Sequence, residues 1–232
     1  SSQGGNVQSV SKSQFLNING LRYHIRTWGN NSDRHLYLMH GWMDMSASFE
    51  FVVKELSEHW FILAPDWRGF GLTEWAPYGY WFPDYVADLS EIINALSKEK
   101  EVNLFGHSMG GNIAGLYTGV FPEKVNKLIL AEGFGMPPRD ASDAPNHLKK
   151  WLDQKQVSPT LKPYKSLYDV AQRLIANTPQ LTQHQALFLA EHWAEEQSNG
   201  EFKLRADPKH KMVNPILYRS TEASFFWKRI HC

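Results

Sequence analysis

Residues 101–120 read EVNLFGHSMGGNIAGLYTGV, and this stretch decides the fold. Glu101–His107 is an apolar run of strand length, and Ser108–Val120 is a small-residue segment of helical character. Glycines at 106, 110 and 111 surround a single serine. The pattern G-x-S-x-G alone is weak, because glycine and serine are common. Its position gives it force: it closes a predicted strand and opens a predicted helix. A residue on so sharp a turn adopts strained backbone angles, and its neighbours two residues either side must lack bulk. Gly106 and Gly110 meet that demand. The turn is expected to lift the Ser108 hydroxyl clear of the sheet into a cleft, which makes Ser108 the candidate nucleophile. A glycine-rich strand–helix connection without chemistry is the weaker reading.

On the N-terminal side, Gln14–Asn19 and Leu21–Trp28 are expected as strands joined at Asn19-Gly20, a hairpin signal. His35–His40 reads as a strand. Ser46–His59 reads as a helix with Phe49, Val52, Val53 and Leu56 on one face and Ser46 or Ser48 as N-cap. Trp60–Asp66 reads as a buried strand, Asp84–Leu96 as an amphipathic helix and, after the serine, Val125–Ala131 as a further strand. Such alternation predicts an α/β protein with a doubly wound, mostly parallel sheet covered on both faces.

After Gly135 the rhythm breaks at Pro137, Pro138, Asp140, Asp143 and Pro145. Helices are expected at His147–Gln154, Tyr168–Ala176, Thr182–Glu196 with Thr182 as N-cap, and Thr221–Ile230, with a looser stretch at Asn199–Pro208 and no strands. This places a helical cap over the carboxyl edge of the sheet, where open α/β sheets hold ligands. The expected organisation is a loose tail over residues 1–13, a core over 14–136, a cap over 137–226 and a return toward the core over 227–232. The aromatic run Trp75–Trp81 (WAPYGYW) is expected to pack core and loops rather than to form a binding platform.

Composition narrows the classes of function. The 232 residues carry 24 basic and 24 acidic side chains, so there is no strong electrostatic case for a nucleic-acid partner or an anionic membrane surface. One cysteine, Cys232, rules out an internal disulfide framework. No segment has the roughly 18 consecutive apolar residues of a membrane span, and the opening residues do not form a signal peptide. A cytoplasmic location is the expectation; nothing in the composition addresses oligomeric state.

Attack by a serine hydroxyl on a carbonyl creates an oxyanion, which needs preorganised N–H donors. Met109 is expected to supply one from its main chain, at the positive end of the following helix. The loop after the third strand, His40-Gly41-Trp42, is expected to supply the other from the Trp42 N–H, with Gly41 allowing close approach. His40 is read as a structural histidine.

His40-Gly41-Trp42, Asp66-Trp67-Arg68-Gly69-Phe70-Gly71 and Gly106-His107-Ser108-Met109-Gly110-Gly111 occur in the order and spacing of the α/β-hydrolase superfamily. The stretches HGWMDMSASF and LILAEGFG look like its serine-hydrolase-like branch, of esterase and lipase type, and the resemblance covers residues 14–136. It implies a carboxylic-ester hydrolase acting through an acyl-enzyme on Ser108, with a small or medium apolar acyl substrate and neither cofactor nor metal. It also implies that Asp66 and Arg68 brace the cleft. Serine at 108 separates the chain from relatives with a carboxylate nucleophile. Perhydrolase chemistry, carbon–carbon bond hydrolysis, and a non-catalytic binding module on the same scaffold are the alternatives.

The chain order implied is nucleophile, acid, histidine. Glu132, after the sixth strand, is a candidate for the acid. The histidine is expected after an eighth strand, whereas Trp227–Cys232 looks like the lead-in to a seventh, so the sequence is expected to stop short of the base. His147, His184, His192, His210 and His231 are read as cap or surface residues, and His107 as pointing away from Ser108. Trp151, Phe188, Trp193, Phe225, Phe226 and Trp227 are candidates to line an apolar acyl pocket.

Overall fold

The computed structural model describes residues 10–56, 58–132 and 135–232. Most of the expected tail, residues 1–9, lies outside the described residues. The tail ends earlier than expected, because β1 (Lys12–Ile18) begins at Lys12 and pairs along its length with β2 (Leu21–Trp28) around a turn with Asn19 and Gly20 both at positive φ. β3 (Arg34–Met39), β4 (Trp60–Pro65), β5 (Val102–His107) and β6 (Val125–Ala131) complete a six-stranded sheet of order β1-β2-β4-β3-β5-β6. From β4 to β6 the neighbours are parallel; β1 and β2 are antiparallel additions at one edge.

The faces of the sheet are unequally covered. Tyr23, Ile25, Tyr37, Met39, Leu63 and Leu104 point into the main core, closed by α2 (Phe82–Leu96) and α3 (Met109–Val120). The alternate residues Trp28, Leu38, Ile62 and Ala64 meet Phe49 and Val53 in a second, smaller core, with Leu36, Leu56 and Trp60 packed against it. Phe105 packs against that core, but its cross-strand neighbour Ile129 on β6 is 58% exposed.

The second core is small because its covering helix is short. In place of the helix expected over Ser46–His59 there is a 3₁₀ turn, Ser46–Phe49, and one helical turn, α1 (Glu50–Val53). Both candidate caps are engaged elsewhere. The Ser46 hydroxyl accepts from Arg26 Nε, and the Ser48 hydroxyl donates to Asp44. Met45 holds the N-cap position with no side-chain bond, so the helix start is unsupported.

Beyond β6 come α4 (Ala144–Gln156), α5 (Leu167–Asn177) and α6 (Gln183–Trp193). Thr182 caps α6 reciprocally with Gln185, as its spacing predicts. The helix expected to run to Glu196 instead ends at Trp193. β7 (Ala194–Glu196) and β8 (Phe202–Leu204) then form an antiparallel hairpin, a correction to the strand-free expectation. Gly200, at φ +84°, closes the hairpin turn. The chain then bridges Ala206 to Phe70, and Gly71 N–H donates to Arg205 O. α7 (Ser220–Trp227) crosses α3 where Gly119 leaves room for the Phe226 main chain. Among the described residues no helix is long and apolar enough to cross a membrane.

Candidate active site

Ser108 sits between β5 and α3 at φ 54° and ψ −120°, a backbone conformation that costs a non-glycine residue free energy and persists only where surrounding structure enforces it. The enforcement is visible. Ser108 N–H donates to Ala131 O on β6 at 2.9 Å, and Ser108 O accepts from Asn112 N–H at 3.1 Å. A Cβ on Gly106 would lie 2.5 Å from Gly110 O and Gly111 Cα. A Cβ on Gly110 would run into the Met39 carbonyl and lie 2.6 Å from His40 O. A Cβ on Gly41 would stand 3.0 Å from Ser108 Cβ. The loop after β3 therefore lies directly against the elbow.

His40 holds that loop in shape. Its Nδ1–H donates to Gly41 O at 2.7 Å, and its Nε2 accepts from Trp67 N–H at 2.9 Å. Trp67 Nε1–H returns a bond to His40 O at 3.0 Å. Both ring nitrogens are thus committed with the imidazole neutral, and full burial pushes its pKa below the ordinary histidine value. The structural role expected for His40 has this geometry behind it.

The loop from Asp66 to Gly71 is a brace. Asp66 accepts from His24 Nδ1 and from Ser46 N–H, each at 2.7 Å, and from Leu72 N–H at 3.0 Å. Burial opposes its ionisation, but the hydrogen bond and charge of His24 outweigh burial and hold the carboxyl well below the usual range. Arg68 makes a bidentate pair with buried Asp88 on α2, at 2.7 and 2.8 Å, and Tyr23 Oη donates to the same carboxylate at 2.7 Å.

Ser108, Trp42 and Met109 are brought together. Met109 opens α3, so its N–H has no intrahelical acceptor. The Trp42 N–H has no acceptor among the described residues. Both residues line one cavity of about 750 Å³. Ser108 itself is half-buried and lines neither this cavity nor a second one of about 670 Å³, whose wall includes Asn112 one helical turn along α3.

Glu132 is not brought to Ser108. It follows β6 at φ 54°, its side chain is 85% exposed, and its Oε2 lies 3.4 Å from His107 Nε2. His107 shares the β5 face of Phe105, away from the main core, as strand alternation predicts. Among the described residues no histidine is hydrogen-bonded to the Ser108 hydroxyl. His184 and His231 are exposed, His192 packs on Phe188, and His147 lines the smaller cavity.

The aromatic residues divide differently from expectation. Trp151 lines the larger cavity; Phe226 and Trp227 line the smaller. Phe188 packs on Phe51, Trp193 is buried, and Phe225 is exposed. The run 75–81 does not simply pack the core. Trp75, Tyr78 and Trp81 are 47%, 94% and 52% exposed, and all three border the larger cavity. The cause is Pro77 and Gly79, which hold this run as loop at the rim.

A cluster that sequence reasoning missed stands beside them. His210 is sandwiched between Phe70 and Tyr80, each ring centroid 3.8 Å away, and burial pushes it down to about 4. Its Nε2 has no hydrogen-bond partner among the described residues. Tyr80 Oη donates to buried Asp207 at 2.8 Å, and Asp207 pairs with Lys209 at 2.7 Å. Gly69, at φ +80°, leaves space that a Cβ would take from Tyr80 Oη and His210 Nε2. Gly69 gave no separate signal for this cluster, because it also serves the turn closed by Phe70 N–H donating to Trp67 O at 2.9 Å. Among the described residues no group of three or more His, Cys, Asp or Glu side chains is placed to hold a metal.

Residues 34–163 match a family described as having the alpha/beta hydrolase fold. A serine hydrolase-like protein of Danio rerio is 34% identical over 198 residues, which is 82% of this chain and 60% of that protein. One from Dictyostelium discoideum is 26% identical over 226 residues, 92% of this chain and 62% of that protein. The chain thus spans 60–62% of the length of these two relatives. Among solved structures, the hypothetical protein PA1622 from Pseudomonas aeruginosa superposes with a TM-score of 0.86 at 23% identity, over 95% of this chain and 79% of that one. The thioesterase domain from the curacin biosynthetic pathway superposes at 0.79 and 23% identity, over 87% and 72%. At that identity the likeness is one of fold.

Proposed function

This chain belongs to the α/β-hydrolase fold family, and from that footing we propose that it is the nucleophile-bearing part of a serine hydrolase that cleaves a carboxylic ester through an acyl-enzyme on Ser108. One observation carries the reading. The strained φ of Ser108 is enforced from both sides by glycine contacts, in a chain where a relaxed turn would be more stable. Strain of that kind persists where a side chain must be presented.

In this reading Ser108 Oγ attacks the ester carbonyl and gives up its proton to a base, forming a tetrahedral oxyanion. The main-chain N–H groups of Trp42 and Met109 face that oxygen; each such donor contributes about 3–4 kcal/mol to transition-state stabilisation. Collapse expels the alcohol, which takes back the proton, and water then releases the acid. We propose that the histidine base, and a carboxylate to orient it, come from sequence outside these 232 residues. Glu132 is not offered for that task, because it faces His107.

The test is reaction with a fluorophosphonate probe. Rapid labelling lost in Ser108→Ala supports the reading. A chain carrying the continuation found in its relatives, with Ser108 unlabelled, would sink it. The second reading is a hydrolase-fold binding module, which requires that no histidine reaches the Ser108 hydroxyl in the whole protein; among the described residues none does. Tight ligand binding with no labelling is its signature.

A further inference from the structure

The two cavities flanking the elbow share a partition formed by Trp81, Phe82, Val213 and Asn214. Met109, next to Ser108, is in the wall of one chamber and Asn112, one helical turn further on, is in the wall of the other; Ser108 itself lines neither. The chambers differ in chemistry. The larger is rimmed by exposed aromatics together with Asp84, Lys155 and Lys209. The smaller runs along α3 between apolar walls, among them Leu116, Met136, Ile216, Phe226 and Trp227.

Four chargeable groups line the apolar chamber: Arg139, His147, Arg219 and Glu222. Glu222 is already paired with Arg219 at 3.3 Å. Arg139 is exposed at the mouth of this chamber and has no ion-pair partner among the described residues. At about 670 Å³ it is the size of an ordinary small-molecule site. An acyl group ending in an anion at that mouth would gain a charge-assisted hydrogen bond that an apolar end lacks, and guanidinium groups suit carboxylates in particular.

We propose that the α3 chamber takes an acyl group with an apolar stem and a distal carboxylate, read by Arg139, so that the substrates are half-esters of dicarboxylic acids. This rests on the reading of Ser108 as nucleophile, because the ester end must reach that hydroxyl from the chamber wall at Asn112. Both chambers contain tryptophans, and Trp81 and Trp227 line this one, so ligand entry can be followed by intrinsic fluorescence without turnover.

The experiment titrates Ser108→Ala chain with monomethyl sebacate and with methyl decanoate, two methyl esters of equal chain length that differ in the distal carboxylate. The expected result is at least tenfold tighter binding of monomethyl sebacate, an advantage that shrinks as salt rises and falls below about twofold in Arg139→Gln. Equal affinities, an advantage that survives Arg139→Gln, or binding of neither ester below millimolar concentration overturns the proposal. Circular dichroism of Arg139→Gln against the parent excludes loss of fold as the cause. Fluorophosphonate labelling of Ser108 in a chain carrying the continuation found in its relatives separates the two failures. Labelling without a carboxylate preference removes the substrate assignment alone, and a carboxylate preference without labelling removes the catalytic one.

Discussion

The floor of the cleft and its rim are built on opposite terms. On the floor, His40, Asp66, Arg68 and Asp88 are all buried, and every one is hydrogen-bonded to named partners. At the rim, Trp42, Trp75, Tyr78 and Trp81 are about half exposed or more, and Met136, Ile216 and Phe225 add further apolar surface. A buried polar group without its partner costs far more than an exposed ring without a neighbour. The floor is therefore intolerant and the rim permissive. The floor can hold the strained backbone of Ser108 in place, while the rim is free to vary.

Substitutions can break this contrast. The largest effect is expected from Asp88→Ala, which removes the bidentate partner of the buried Arg68 guanidinium and leaves it only the longer contact to partly exposed Asp84 at 3.5 Å; a loss of about 3 kcal/mol in urea unfolding is the prediction. Next is Gly110→Ala, whose Cβ meets the carbonyls at the end of β3. A loss of about 1–3 kcal/mol is expected there, measured in the same way. If either variant unfolds like the parent, the floor is looser than its contacts imply.

His210 tests the boundary between the two regions. Its folded pKa of about 4 lies below the ordinary histidine value, so the unfolded chain binds the proton first. Its contribution to stability is complete above about pH 6.5 and is lost as pH falls toward 4. His40, His35 and His192 are shifted in the same direction and add to that slope. His210→Phe, which keeps a ring between Phe70 and Tyr80, should flatten the fall in unfolding free energy across that interval. An unchanged slope would detach His210 from it. The smallest effect belongs to the rim. Trp81→Ala should shift stability by no more than about 0.5 kcal/mol while altering the fluorescence response to either ester. A large destabilisation would show that this ring is structural.

Legibility followed the range of the constraint. Gly106, Ser108 and Gly110 could be read because their steric demand is settled within five consecutive residues. The parallel strands could be read because strands buried on both faces must be continuously apolar. The β7–β8 hairpin was equally local: Asn199-Gly200 is the same dipeptide that marked the first hairpin, but the helical periodicity before it took precedence. Tyr80, Asp207 and His210 could not be read, because the Tyr80–Asp207 bond spans 127 positions and no residue type in either segment announces the other. The shortness of α1 was hidden for a related reason. Ser46 and Ser48 looked like free caps until Arg26 and Asp44 were seen to occupy them.

The glycine contact between the first turn of α3 and the end of β3 has a mechanical consequence. The serine and the Trp42 amide are seated on adjacent strands, locked at a distance too short for any side chain to intervene. Flexing of the rim, or travel of the helices beyond β6, moves the walls around this pair without separating its members. The spacing between the Ser108 hydroxyl and the Trp42 amide is thus insulated from movement of those walls.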